Sequence, residues 1–263
     1  MSALTRRDVF SLAGGAAALV ASGRLPLLAA TPLPAAVAGV EGYLRANHPG
    51  TGAAKPHLLE YAVLRWTASD PATGETKNVD VGRVEVEAQK RSEGVKLSIR
   101  HRTHYSQPLN RLEIEAQCND DGWLTMRSWK GKSWIEQRDD CLYEATGDIV
   151  GSRGRVDDGI SERKLYNLPP AVSTQWGVAV ALAWGKAKGG EFAMLEDLTL
   201  LKPGQRLAEG PEARVPYSDG EHALKTWAQT GPAILPIHYL VDEQGLPQLI
   251  TQGALAWALQ RAE

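Results

Sequence analysis

From residue 58 onward, apolar and polar side chains take turns along the chain in short runs separated by turn residues. Val95, Leu97 and Ile99 fall on one face and Lys96, Ser98 and Arg100 on the other, the period of two that a half-buried strand requires. Leu112, Ile114, Ala116 and Cys118 repeat it. Val79 and Val81 alternate in one phase, and Val84, Val86 and Ala88 in the opposite phase. A flip of that kind beside Gly82 predicts a β-bulge. Ser69 to Gly74, Glu93-Gly94 and Asn119-Asp120-Asp121-Gly122 supply the turns, the last with hairpin chemistry. Further runs at 58–66, 123–129, 134–138, 142–150 and 160–168 complete a meander of about eight strands, with Lys130-Gly131-Lys132 read as a turn. The glycines at 151–159 read as a mobile loop with Arg153 and Arg155 exposed. Short strands at such spacing mean antiparallel β structure.

One segment breaks the period. After Pro169-Pro170, residues Val172, Trp176, Val180 and Trp184 recur every four positions, with Ala179 and Ala183 beside them. Ser173 or Thr174 can cap the start and Gly189-Gly190 can end it. The prediction is one buried apolar helix of about 14 residues, too short to cross a bilayer. Strands resume at 192–201, 206–217 and 223–230, then in a hairpin of 234–241 and 246–251 around Asp242 to Gly245. Leu255, Ala256, Trp257 and Leu259 close the chain as a short apolar tail. No repeat of fixed period is present.

The other end of the chain is of a different kind. Thr5-Arg6-Arg7-Asp8-Val9-Phe10 precedes a weakly apolar, Ala- and Gly-rich stretch and then Arg24. A short basic region before a short apolar core is a targeting peptide rather than a fold element. Arg6, Arg7 and Phe10 resemble the recognition motif of the twin-arginine export route, with the twin-arginine translocase as the partner in transit. The expected division is a signal at 1–30, cleaved as late as 38, an N-terminal arm at 31–57 with a short helix near 35–46, and one β-rich domain at 58–263. The expected location is the periplasm. Loss of the signal takes the formal charge from −2 to about −4. A weakly acidic chain without a basic run argues against nucleic acid and against a polybasic membrane-surface site, and no stable membrane span is expected in the mature protein. In an oxidising compartment Cys118 and Cys141 are expected to form a disulfide, worth roughly 3 kcal/mol if unstrained.

Catalytic motifs are weak. His101 and His104 stand three apart, which on a strand puts one inside and one in solvent and prevents chelation of a single ion. No zinc string is present, no cofactor is identified, and Asp120-Asp121, Asp139-Asp140 and Asp157-Asp158 read as turn chemistry rather than paired glycosidase carboxylates. Gly151-Ser152-Arg153-Gly154 falls short of a nucleophile elbow. Eight tryptophans against two phenylalanines make Trp the large apolar residue of this chain, serving a core or an aromatic ligand platform.

The meander, the proline-led helix from Leu168-Pro169-Pro170 through Trp184, and the closing hairpin Leu235 to Pro247 together resemble periplasmic proteins similar in fold to the lipoprotein carriers LolA and LolB. That resemblance implies a strongly curved antiparallel sheet, an open or half barrel, with the buried helix packed on its concave face. A concave apolar pocket between helix and sheet is then the default ligand site. Trp176, Val180 and Trp184 are its expected helix side and Trp123, Trp129 and Trp134 its expected sheet side. The leading expectation is a periplasmic carrier or envelope-maintenance protein holding a lipid or other apolar ligand. An enzyme on envelope carbohydrate would instead bring carboxylates, or His101 or His104 with a carboxylate, into one cleft. A structural partner of an envelope complex would show an exposed apolar patch.

Overall fold

The computed structural model describes residues 37–66, 78–104, 109–136, 141–159, 164–196 and 200–263. Arg6, Arg7 and Phe10 of the expected export signal, and the expected turn at 69–74, lie outside them. The described chain opens with helix α1 (Glu41–Ala46) and strand β1 (Thr51–Gly52). Eight strands follow: β2 (Leu58–Trp66), β3 (Asn78–Arg91), β4 (Gly94–Thr103), β5 (Asn110–Cys118), β6 (Met126–Ile135), β7 (Cys141–Val150), β8 (Arg153–Asp157) and β9 (Lys164–Asn167). Next come β10 (Val172–Ser173), helix α2 (Gln175–Ala183), β11 (Gly190–Glu196) and β12 (Leu200–Tyr217). The remaining strands are β13 (Gly220–Thr230), β14 (Ile237–Val241), β15 (Pro247–Gln252) and β16 (Leu255–Ala262).

All the described strands belong to one curved sheet that does not close. Its order runs β10 through β16, then β2 through β9. Neighbours are antiparallel except β1 on β16 and β10 on β11. The seam is therefore β16 against β2, where Trp257 faces Val63 and Ala258 faces Ala62. The two free edges, β9 and β10, follow one another in sequence, so the path breaks between them, at 168–171, and the helix then joins the parallel pair β10 and β11.

The concave face wraps α2. Every residue of α2 from Trp176 to Ala183 is buried, as a helix without a polar face requires. Thr174 caps it by accepting from the Gly177 amide at 3.0 Å. It ends earlier than the Gly-Gly pair suggested. Gly185, at φ +65°, donates to the Leu182 carbonyl, and the Lys186 amide donates to the Ala181 carbonyl, the paired bonds of a Schellman stop. Leu59, Tyr61, Val84, Val86, Leu97 and Ile99 belong to the same core as the helix. A second core lies on the opposite face, where Val40 and Leu44 of the α1 region meet Leu64, Val215, Leu240 and Leu249. Strand β14 is thus buried on both sides, and its run Ile237–Val241 shows no exposed position, as expected for a strand covered twice.

The bulge beside Gly82 is present. The β2–β3 register steps from Val63–Gly82 to Leu64–Asp80, and a Cβ on Gly82, at φ +146°, would meet the Arg102 carbonyl oxygen at 1.9 Å.

Several expectations are corrected. Lys130-Gly131-Lys132 is not a turn: β6 runs through it, with Lys130 paired to Glu115 at 3.2 Å and Lys132 to Glu113 at 3.3 Å on β5. The segment 151–159 is not an open loop. Arg153–Asp157 forms β8, and Arg155 holds Asp148 with two bonds of 2.8 and 2.6 Å. The run 192–201 is divided between β11 and β12, which pair antiparallel. The apolar tail is β16, an interior strand. Finally, Cys118 and Cys141 do not form the expected disulfide. Cys118 is a buried free thiol; it lies opposite Met126 and Cys141 opposite Trp134, on the two ends of β6. About eight residues of strand separate those levels, roughly 25 Å, against the roughly 7 Å that a bridge tolerates.

Candidate functional site

Where α2 begins, the sheet does not close over it. A cleft of about 340 Å³ lies there between the first turn of the helix and the strands β4, β5, β11 and β16. Trp176 and Trp257 meet in it edge to face with centroids 5.8 Å apart, and Tyr61 packs on Trp176 at 5.6 Å. Ile99, Ile114, Met194 and Leu255 extend the apolar lining.

Polar groups share the lining, among them His101, Gln175, Asn110, Arg111, Glu196 and Gln252. His101 points inward from β4, opposite Val84 and Leu112, while His104 is exposed, the split that an offset of three dictates. The His101 ring stands at 77° to Trp176. Its Nε2 and the Nε2 of Gln175 are both buried without a hydrogen-bond partner among the described residues. Burial pushes the His101 pKa down to about 4, so the ring is neutral at ordinary pH. Outside the lining, Tyr239 donates to Gln229 Oε1 at 3.0 Å, and Gln229 donates to Met194 Sδ at 3.0 Å. One amide donor and one imidazole nitrogen are left without a partner among the described residues, in a cleft that Arg111 and Glu196 also line.

The expected site residues are dispersed. Only Trp176 lines this cleft. Val180 lies 1% exposed on the middle of α2, away from the cleft, in core. Trp184 is at the far end of α2, its Nε1 donating to the Pro56 carbonyl at 2.8 Å. Trp123 stacks on Phe192 at 4.7 Å, and Ser173 donates to its carbonyl at 2.6 Å, tying the β5–β6 turn to the start of α2. Trp129 is in the concave core, its ring against Gly147 of β7. Trp134 falls on the convex face, beside Lys132, whose Nζ sits 4.6 Å from its ring centre. A one-residue error in strand phase moves a side chain to the other face, and reading 130–132 as a turn hid the phase of Trp134. Trp257 and His101 are the cleft residues that the sequence reading did not assign to a ligand. The period-two run of Val95, Leu97 and Ile99 already placed His101 in their row, and that signal was available.

Among the described residues no three acidic, histidine or cysteine side chains gather as a metal site, and no described helix is long and apolar enough to cross a membrane.

Among solved structures the chain is similar to a beta-barrel-like protein of a domain of unknown function, DUF1849, from Brucella abortus. The match has 14% sequence identity and a TM-score of 0.50, over 79% of this chain and 96% of that one. At that identity the likeness concerns the fold, which is barrel-like in both. No family model matches the chain, and no curated protein matches it.

Proposed function

We propose that this protein is a carrier or binding protein for an amphipathic, largely apolar ligand, held in the cleft at the start of α2. One observation carries the reading: a 340 Å³ hollow lined by Trp176 and Trp257 beside His101 and Gln175, whose Nε2 atoms are buried without a partner among the described residues. Burying apolar surface against two indoles supplies affinity at about 25 cal/mol per Å². Two polar groups buried without a partner favour a ligand bearing a matching hydroxyl, amide or carbonyl, because an unmade hydrogen bond there costs about 1–3 kcal/mol, and Arg111 and Glu196 in the lining suit its polar end. The LolA and LolB resemblance, in which a helix covers the hollow of an unclosed barrel, supports the same reading.

The proposal places the protein in the periplasm, exported folded by the twin-arginine translocase. Its support is the sequence Arg6-Arg7 with Phe10.

The test is native mass spectrometry of the mature protein taken from the periplasm of its own host. The expected result is added mass that organic extraction removes and that Trp257→Leu reduces. A bare polypeptide mass, together with no displaceable binding of a fluorescent amphiphile, overturns the carrier reading.

A further inference from the structure

We propose that the opposite end of α2 holds a second site, for a small phosphate-class oxyanion, formed by Lys55, Lys90 and Lys186 over the indole of Trp184. A hollow of about 220 Å³ opens there, floored by Pro56, Ala88 and Trp184 and rimmed by those lysines and His57. No residue lining it is acidic, on a chain whose formal charge is −2.

The rim is only half neutralised. Asp120, outside the lining, pairs with Lys186 and lies 3.9 Å from Lys90 Nζ. One carboxylate thus serves two ammonium groups, and Lys55 adds to the excess. Lys90 and Lys186 also converge on one ring, their Nζ atoms 5.5 and 5.3 Å from the Trp184 centroid. Asp120 offsets one of these two charges, and an anion in the hollow would relieve the repulsion that remains. The indole holding them is fixed, buried on α2 and bonded to the Pro56 carbonyl.

Lys55 supplies an independent sign. Its backbone is left-handed, at φ +56°, where a side chain other than Gly or Asn costs about 1–2 kcal/mol. Pro56 follows it directly and confines it further. Strain retained beside a positively rimmed hollow is a reason to look for a ligand. The helix end does not compete as the positive group, because its carbonyls are partial negative charges, already capped by the Gly185 and Lys186 amides. Lysines, each a mobile point charge with three donors, suit the oxygens of a phosphate.

The experiment titrates the ¹⁵N-labelled chain with inorganic phosphate at low ionic strength and follows the Trp184 indole N–H, assigned by Trp184→Phe. The Lys55 and His57 amides serve as the readout where that variant does not fold. A saturable shift is expected, weakened about tenfold by Lys90→Gln with Lys186→Gln. Asp120→Asn, which removes the competing carboxylate, is expected to tighten binding, whereas a purely structural ion pair would show no phosphate response in any variant. Cosedimentation with phosphatidylglycerol and phosphatidylcholine vesicles separates the sources. A shift with free phosphate assigns a soluble phosphate, and lysine-dependent binding to phosphatidylglycerol alone assigns a lipid headgroup. No saturable response to either probe, or one that ignores the lysines, overturns the site.

Discussion

The rings of His101 and Trp176 stand at 77° with centroids 5.5 Å apart, so the one inward-facing histidine of β4 is pressed against the first turn of the buried helix. Its Nε2 is buried without a hydrogen-bond partner among the described residues, and burial lowers its pKa to about 4. The unfolded chain takes a proton there near pH 6.5, as an unperturbed histidine does. Between these values the unfolded state binds more protons, so the contribution is full above about pH 6.5 and is lost as the pH falls toward 4. His238, lowered by the same cause, acts in the same direction. His101→Phe should remove at most about 3 kcal/mol of that acid sensitivity. Urea midpoints near pH 7 and near pH 4.5 check it, and an undiminished fall in the variant would place the histidine in water.

Trp257 and Trp134 make a matched pair for the cleft. The first lines it, and the second stands on the convex face beside Lys132. Trp257→Leu should weaken a fluorescent amphiphile about tenfold, a loss within the range for a buried aromatic anchor. Trp134→Leu should leave the affinity within about twofold. Equal losses in both would mean that the amphiphile sits elsewhere.

Which parts of this architecture were legible follows from what local pattern encodes. The strands β3, β4 and β5 alternate because one face meets core and the other water, and their phase is visible in Val95, Leu97 and Ile99. The bulge at Gly82 was readable for the same reason. Lys130-Gly131-Lys132 misled because the ladder that keeps it extended, Lys130 and Lys132 against Glu115 and Glu113, depends on a register no single segment contains. The glycines of 151–159 read as loop, yet only Gly151 serves the turn, and the hairpin of β7 and β8 is held by the Arg155–Asp148 pair across it. The helix itself was evident, but Gly185 rather than Gly189 stops it, because the stop needs a left-handed residue directly after the last turn. The cleft could not be read at all. It lies among β4, β5, β11 and β16, and the pairing of β16, the last strand, with β2 sets where Trp257 stands against Trp176.

Gly147 and Trp129 face each other across β6 and β7, and a Cβ on Gly147 would lie 2.0 Å from the indole. The glycine is required for space. Gly147→Ala should destabilise the fold by about 1–3 kcal/mol through overpacking. Adding Trp129→Leu should return part of that loss, because it empties the same volume. A double-mutant cycle by urea denaturation measures the coupling, and additive losses would separate the two residues.

Cys118 is buried, and burial, the largest cause, holds its thiol up near 12, so it is protonated and shielded. A thiol reagent should modify it at the rate of unfolding rather than on mixing. Dithiothreitol should leave the urea midpoint unchanged, whereas loss of a bridge would lower stability by about 3 kcal/mol. A reductant-dependent midpoint would restore a disulfide to the protein.

The last strand carries the most consequential prediction. Leu255–Ala262 pairs with β15 on one side and β2 on the other, and places Trp257 in the core and Ala256 and Ala258 in the second core on the opposite face. Removing it opens the sheet at its seam, bares the edges of β2 and β15, and uncovers apolar surface on both faces. An exposed interior strand also invites edge-to-edge association. A chain ending at Gly253 should therefore lose cooperative unfolding and aggregate rather than fray. If the segment were only a tail, truncation would cost a few tenths of a kcal/mol, as surface changes do. Circular dichroism with size-exclusion chromatography distinguishes the two, and a monomeric, cooperatively melting truncation would contradict the seam.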